Sequence, residues 1–488
     1  MKRSLTILAA LASCSLATGN LLAQDARLLA PPTPPAPPAA YNDNVDQGTS
    51  NTLAAYFDDE VVDVDQPAGE DVLGDCGCDV GCASEAGCGC EAECGDECAC
   101  GDECGCGDGC GGNSNGDLCS GWNWCGDCCL GDAWTLQGYL QPCCDKSTTY
   151  AGWMSMGYYN NNERLSVDDG DELSFNDFPD HLNLDQAWFY TEKLAEADAC
   201  SSDWGYRFDI MYGAHGHAAQ AYGNDGGTWD VTFDHGNYEW ALPQLYAEVA
   251  YGDWKWKIGK WFTPVGYEVI PATGNFFYSH TLTHYNSEPF SHTGVLGSYS
   301  GVEDYTVYTG WALGWDTGFD QFGAGNIGIV GFTRNIGEDV ALTYITTVGN
   351  FGWRSGDEFG FSHHFVGVFD LTENTQYVLQ HDFIDTEGTL ADDDFHNQDY
   401  GVTNYLFYSL NDCVRLGGRM EWWKSNNITG DATSFYNISG GINYKVHANV
   451  VIRPEIRYDW TPAEDTVSAA IGDDYNQEWF GIDAVFTY

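Results

Sequence analysis

Basic residues are scarce in this 488-residue chain: 18 Lys and Arg stand against 73 Asp and Glu, a formal net charge of -55. That balance argues against a nucleic-acid partner, because phosphate binding needs clustered Lys and Arg. An acidic surface attracts cations instead. Methionine is also rare, with 5 residues, and no long Ala, Leu or Lys run follows the N-terminal leader, so a helical architecture has little to build on. Beyond the leader, no stretch approaches the roughly 18 to 20 consecutive apolar residues that a membrane helix requires. A chain of this kind crosses a membrane only with strands closed into a barrel. What is abundant points the same way, since 15% aromatics and 59 glycines favour strands and turns.

The chain divides into four zones. Met1-Lys2-Arg3 and the apolar run from Leu5 to Ala17 read as a secretory signal peptide, residues 1–23, with cleavage after Ala23. Leu11-Ala12-Ser13-Cys14 is also similar to a lipobox, in which Cys14 would be lipidated. Residues 24–75 contain PPTPPAPPAA and then an acidic stretch rich in Asn and Asp, the composition of a polyproline-like, largely disordered linker. Residues 76–145 hold 17 of the 20 cysteines among Gly, Asp and Glu, as in GDECACGDECGCGDGC, and no Lys or Arg occurs between Arg27 and Lys146. A segment so poor in large aliphatics cannot build its own core, so covalent or metal cross-links would have to order it. The cysteine spacing matches neither a zinc finger nor a c-type haem motif, and the CxxC of Cys125 and Cys128 is isolated. Export to an oxidising compartment makes disulfides the default, with soft-metal binding or a plain spacer as alternatives.

From residue 146 to 488 cysteine nearly vanishes, and segments of alternating polarity recur between Gly, Asn and Asp turns. This is an all-β pattern: a closed antiparallel transmembrane barrel of about 16 strands, within a range of roughly 14 to 18. Val414, Leu416, Gly418, Met420 and Trp422 alternate with Arg415, Gly417, Arg419 and Glu421. Val450, Ile452, Pro454, Ile456, Tyr458 and Trp460 alternate in the same way with Val451, Arg453, Glu455, Arg457 and Asp459. In a membrane barrel the apolar face meets lipid and the charges line the lumen. The expected strand centres are Met154, Trp188, Phe208, Ala247, Ile258, Val295, Trp311, Ile329, Tyr344, Val368, Leu379, Leu406, Gly418, Gly440, Glu455 and Ile482. An even count brings both ends of a barrel to one side, and sixteen strands leave an aqueous channel. At the chain end Phe480, Ile482, Ala484, Phe486 and Tyr488 share one face. That terminus resembles the signal by which outer-membrane barrels are recognised by the barrel assembly machinery and inserted, and Phe480, Ile482, Phe486 and Tyr488 are assigned to it.

The stretch PQLYAEVAYGDWKWKIGKWFTPVGYEVIPATGNFFYSHTLTHYNSEPFSHTGVLGSYS, residues 243–300, followed by GWALGWDTGFD, residues 310–320, resembles the OmpL-like β-barrel porin family known as porin-2, abundant in planctomycete-type bacteria. The resemblance spans residue 146 to the end and implies an outer-membrane pore for passive diffusion of small hydrophilic solutes or ions. It explains nothing of the cysteine-rich zone. Read physically, Pro264 ends a strand because it removes a ladder donor. The connection from Val265 to Pro289, roughly 25 residues, is far longer than a hairpin loop. Rich in aromatics, it is expected to fold into or over the barrel mouth and narrow the pore, with Glu268, His280, His284 and Glu288 as constriction candidates.

The lumen phase of the strands assigns Arg207, Asp209, Lys255, Lys257, Arg415, Arg419, Glu421, Arg453, Glu455, Arg457 and Asp459 as pore-lining charges. A charge facing lipid near the midplane costs roughly 2 to 4 kcal/mol, which favours the inward phase. Opposed rows of charge would orient water and filter solutes. No catalytic constellation stands out: HTLTH lacks the Glu of the zincin motif, and no nucleophile elbow, phosphate loop or dinucleotide fingerprint occurs. The sequence therefore implies no enzyme, no cofactor and no metal site. Its expected partners are outer-membrane lipid, the assembly machinery, small hydrophilic solutes and further copies of itself in a homo-oligomer, but not nucleic acid. The alternative is a structural or adhesive envelope protein anchored by the barrel, with the cysteine-rich zone crosslinking or binding metal.

Overall fold

Sixteen of the segments whose polarity alternates become staves of one wall. The computed structural model describes Leu130, residues 133–140 and most of 147–488; outside the described residues lie 1–129, then chiefly 141–146, 162–174, 224–228, 231–237 and 353–357. The expectations of a signal peptide, a disordered linker and a cross-linked cysteine-rich zone fall outside the described residues.

The first half of the wall comprises β1 (Thr149–Asn161), β2 (Leu182–Lys193), β3 (Ser202–Gly213), β4 (Glu239–Ala241), β5 (Leu245–Tyr251), β6 (Trp254–Phe262), β7 (Ser291–Val302), β8 (Tyr305–Ala312) and β9 (Asn326–Ile336). The second half comprises β10 (Val340–Asn350), β11 (Glu358–Thr372), β12 (Thr375–Leu390), β13 (Asp393–Asn411), β14 (Val414–Ser425), β15 (Thr433–His447), β16 (Val450–Trp460) and β17 (Gln477–Thr487). Neighbours pair antiparallel throughout, and β17 closes on β1 with Trp153 opposite Thr487. Both β4 and β5 pair with β3, at Met211–Gly213 and Ser202–Phe208, and Pro243 lies in the break between them. Proline has no N–H for the ladder, so the two segments form one kinked stave and the closed barrel has 16 strands. Every strand centre expected from the sequence falls inside one of them.

The alternation resolves as a membrane barrel requires. Leu406, Met420, Ile438 and Ile456 point outward and are 51%, 52%, 51% and 64% exposed. Their chain neighbours Arg419, Glu421, Glu455 and Arg457 point inward and are buried. Val414, the first residue of β14, departs from its expected face and is covered. Aromatic pairs mark both rims of the wall: Trp254 and Tyr299 at one end, Tyr436 and Trp460 at the other, with ring centroids 4.8 and 5.3 Å apart. Such girdles sit where lipid meets water.

Connections are mostly short at one end and mostly long at the other. Residues 252–253, 303–304, 373–374, 412–413 and 448–449 each turn the chain in two residues, at the end that holds Thr149 and the C-terminus. Gly252 adopts φ 54°, which its two-residue turn requires. The long connections, including 263–290 and 461–476, are at the opposite end. Outer-membrane barrels put short turns toward the periplasm and long loops outside. The seam is fastened by the last residue, where Tyr488 and Gly152 exchange backbone hydrogen bonds of 2.9 and 3.0 Å. The Tyr488 hydroxyl also donates to Trp188 O at 2.8 Å.

The interior differs from a simple charged lining. On β1, β2, β9 and β10 the inward residues include Trp153, Trp188, Ile327, Ile329 and Ile345, all buried. Trp153 stacks on Trp188 at 4.6 Å, and the isoleucines pack with Trp261, Val265 and Trp315. In β9 both faces are therefore apolar, because Val330 and Phe332 face outward. These inward side chains cover a chain segment that enters the lumen.

Candidate functional site

Phe262 ends β6, Pro264 prevents the ladder from continuing, and residues 263–290 turn into the barrel before Ser291 opens β7. The segment contains a 3-10 turn at Ala272–Gly274 and one short helix, α1 (Leu282–Ser287), whose N-cap Thr281 accepts from His284 N. A loop inside a wall carries backbone polar groups that must find partners. Here the wall supplies them.

Ser279 is the centre of this attachment. Its N–H and hydroxyl donate to Glu455 at 2.9 and 2.7 Å. Its carbonyl accepts from Arg419 at 2.7 Å, and its hydroxyl also accepts from Arg419 at 2.8 Å and Arg457 at 3.2 Å. Arg457 further donates to His280 O at 2.5 Å while pairing with Asp459. Arg453 pairs with Asp483 and donates to Ala272 O and Asn275 O, both at 2.6 Å. Glu421 accepts from the N–H groups of Leu282 and Thr283, two donors that a helix start leaves unpaired. On the facing walls Gln186 holds Ile270 O and Ala272 N, Gln380 holds Tyr267 N and Glu288, and Asp399 and Trp423 hold Ser287. Strands β2, β12, β13, β14 and β16 thus grip one loop.

Inside the loop, Glu268 pairs with Arg419 at 2.9 Å and lies 3.3 Å from His280, and it accepts from Thr281 N and the Tyr405 hydroxyl. Burial opposes its charge, but the Arg419 guanidinium and His280 outweigh that and hold the carboxyl below its ordinary range. Glu288, 2.8 Å from His284, is pushed well above the carboxylate range by burial and then by the charges of Asp382 and Glu268. Burial and neighbouring His280 depress His284. Phe175 packs against His280 at 4.6 Å and His284 at 6.1 Å. Among the described residues no group of three or more His, Cys, Asp or Glu is placed to hold a metal.

Glycines on the inner wall make room. A Cβ on Gly417 would stand 2.3 Å from the Phe276 ring, and one on Gly157 2.1 Å from the Tyr278 hydroxyl. The loop sits in these recesses with Phe276 and Phe277 packed among Val366, Val368, Val378 and Phe407.

The four constriction residues expected from the sequence, Glu268, His280, His284 and Glu288, are thus brought together and buried. The expected lining charges separate into three groups. Arg419, Glu421, Arg453, Glu455, Arg457 and the Arg457 partner Asp459 form the attachment of the loop. Arg207 and Asp209 pair with each other, and Arg207 also with Glu192, away from it. Lys255, Lys257 and Arg415 are half-buried toward the short-turn end, where Arg415 donates to Gln376. Phe480, Ile482 and Phe486 face outward on β17, 41%, 36% and 39% exposed. Sequence reasoning missed Ser279, Gln186 and Gln380, neutral residues with no local signal. It gave the inward Gly157 and Gly417 no role, because the Tyr278 hydroxyl and Phe276 ring that they admit come from a distant loop.

A model of the family described as "Putative beta-barrel porin-2, OmpL-like" matches residues 147–488. No curated protein shows a sequence match to the chain. Among solved structures, the chain is similar to outer-membrane expressed OmpT of Vibrio cholerae, at 12% identity and TM-score 0.47, covering 71% of this chain and 99% of that one. It is also similar to the outer membrane channel DcaP of Acinetobacter baumannii, at 10% identity and TM-score 0.48, with 70% and 97% coverage. An anion-selective porin from Comamonas acidovorans gives 9% identity, TM-score 0.48, and 70% and 99% coverage.

Proposed function

The chain belongs to the OmpL-like porin-2 family and is a porin of the bacterial outer membrane, and we propose that it is a narrow one, whose passage is set by residues 263–290. The observation that carries this reading is the loop itself, gripped from five strands with its polar groups buried in the lumen. A free bore of sixteen strands would admit large solutes. A bore crossed by a fixed loop passes ions and small hydrophilic solutes and retards the rest. The protein acts as a diffusion channel and performs no catalysis.

Cations are the favoured ions. Arg207, Arg419, Arg453 and Arg457 are each neutralised by at least one carboxylate. Arg419 meets two carboxylates, Glu268 and Glu455, and Asp382 lies against His364, so carboxylates outnumber guanidinium groups around the loop. Planar-bilayer recording in asymmetric KCl tests both parts. The expected result is small ohmic steps with a reversal potential on the cation side. Absence of steps from correctly folded protein would sink the pore reading, and a large sugar-permeable conductance would sink the narrow one.

A further inference from the structure

The cysteine-rich zone is left unused by the pore, yet the described residues show where it meets the barrel. Just ahead of β1, the short helix α2 (Leu136–Leu140) lies at the short-turn end, where Gln137 donates to Thr148 O and accepts from Tyr150 N. Upstream, Trp134 is clasped by Asn449 of the β15–β16 turn: Trp134 N donates to Asn449 Oδ1 at 2.8 Å, and Asn449 Nδ2 donates to Trp134 O at 2.7 Å. Asn449 Nδ2 also donates to Thr487 O, which fixes it to the barrel seam. The chain before β1 thus runs along the rim toward the β13–β14 turn. That turn holds Cys413, whose carbonyl accepts from Lys445 N of the adjoining strand. Cys413 is disulfide-bonded.

We propose that this rim, from Asn449 to Cys413, is the covalent attachment point of the chain's own cysteine-rich segment, Cys76 to Cys144. Two observations select that occupant. Cys413 is the one cysteine among the described residues, so its partner lies among the other cysteines of the chain. Cys200 belongs to the β2–β3 connection, five strand spacings round the wall from β14. At about 4.8 Å per strand that is more than 20 Å of wall, whereas a disulfide holds its two Cα atoms within about 7 Å. Cys14 lies in the leader. Cys128 and Cys129 lie six and five residues before Trp134, which is anchored at the β15–β16 turn, a length of chain that can span to the β13–β14 turn.

The segment holds 17 cysteines, an odd number that cannot all pair within it, so at least one is left for a partner outside it. Bond formation takes one proton and one electron from each thiol. Both electrons and both protons pass, through thiolate exchange, to a disulfide of the oxidising envelope, which leaves as two thiols. The tie sets the acids interspersed with these cysteines beside the periplasmic mouth, where they raise local cation concentration.

The test is mass spectrometry of the full-length protein from outer membranes, with free thiols alkylated before lysis and digestion without reductant. A peptide containing Cys413 joined to one from residues 76–144 is expected, and it should separate into its two halves on reduction. In Cys413→Ser, the count of alkylated thiols in that segment should rise by one, while the barrel keeps its heat-modifiable migration. Cys413 joined to Cys200, joined to a second chain, or recovered as an alkylated thiol would overturn the proposal.

Discussion

Replacing Arg419 by Met keeps most of the side-chain volume and removes the charge that ties the loop to β14. In the folded protein Arg419 donates to Glu268 Oε1 at 2.9 Å, Ser279 O at 2.7 Å, Ser279 Oγ at 2.8 Å and Ser439 Oγ at 3.2 Å. Its loss also leaves Glu268 as a buried carboxylate without its main cation. Removing one partner of a buried ion pair costs about 3 to 5 kcal/mol. If that cost falls on the loop, the ratio of displaced to seated loop rises by about a hundredfold to a few thousandfold, at roughly 1.4 kcal/mol per factor of ten. Single-channel recording should then show frequent openings of larger conductance. Liposome swelling should admit sugars that the parent excludes. Arg207→Met is the control, since its ion pairs are with Glu192 and Asp209 and not with the loop; it should lower stability without changing conductance. Unchanged conductance and sugar cutoff in folded Arg419→Met would refute the idea that wall charges hold the constriction.

Gly417→Val puts a side chain into the space of the Phe276 ring, where overpacking costs about 1 to 3 kcal/mol; the variant should unfold at lower denaturant and pass larger solutes, and Gly418→Val, on the outward face, should do neither. Asp316 accepts from Phe290 N and Ser291 N at the end of the loop, and burial outweighs these bonds and pushes its carboxyl up to about 8. Its folded value lies above the ordinary 3.8, so its contribution to stability is present at low pH and is lost as pH rises toward 8. Between pH 6 and 8 the loss is on the order of 1 to 3 kcal/mol; Asp316→Asn should abolish that part of the pH dependence in urea titrations, and an identical slope in both proteins would contradict the assignment. Tyr488→Ala removes the hydroxyl that donates to Trp188 O and the ring seated over Gly152; pulse-chase assembly into outer membranes should slow, and normal insertion kinetics would show that the terminal aromatic is dispensable.

The sequence by itself determined the wall. Strand number, the outward face of Met420 and Ile456, the inward face of Arg419 and Glu455, the position of the long connection after Pro264 and the aromatic terminus were all readable. Each follows from a local rule: side chains alternate with period two, lipid rejects charge, and proline ends a ladder. The use of the inward charges was decided only in three dimensions. Arg419, Glu455 and Arg457 were expected to face water across a channel, yet they converge on Ser279, which Glu455 binds from 176 positions away in the chain. Nothing local distinguishes a charge that lines a pore from one that holds a loop, because both occupy the same phase of the same strand. The inward isoleucines of β9 and the recess at Gly417 are equally silent in sequence. Their meaning depends on Val265 and Phe276 arriving from a distant loop, and packing between distant residues is fixed by closure of the barrel, which no single strand records.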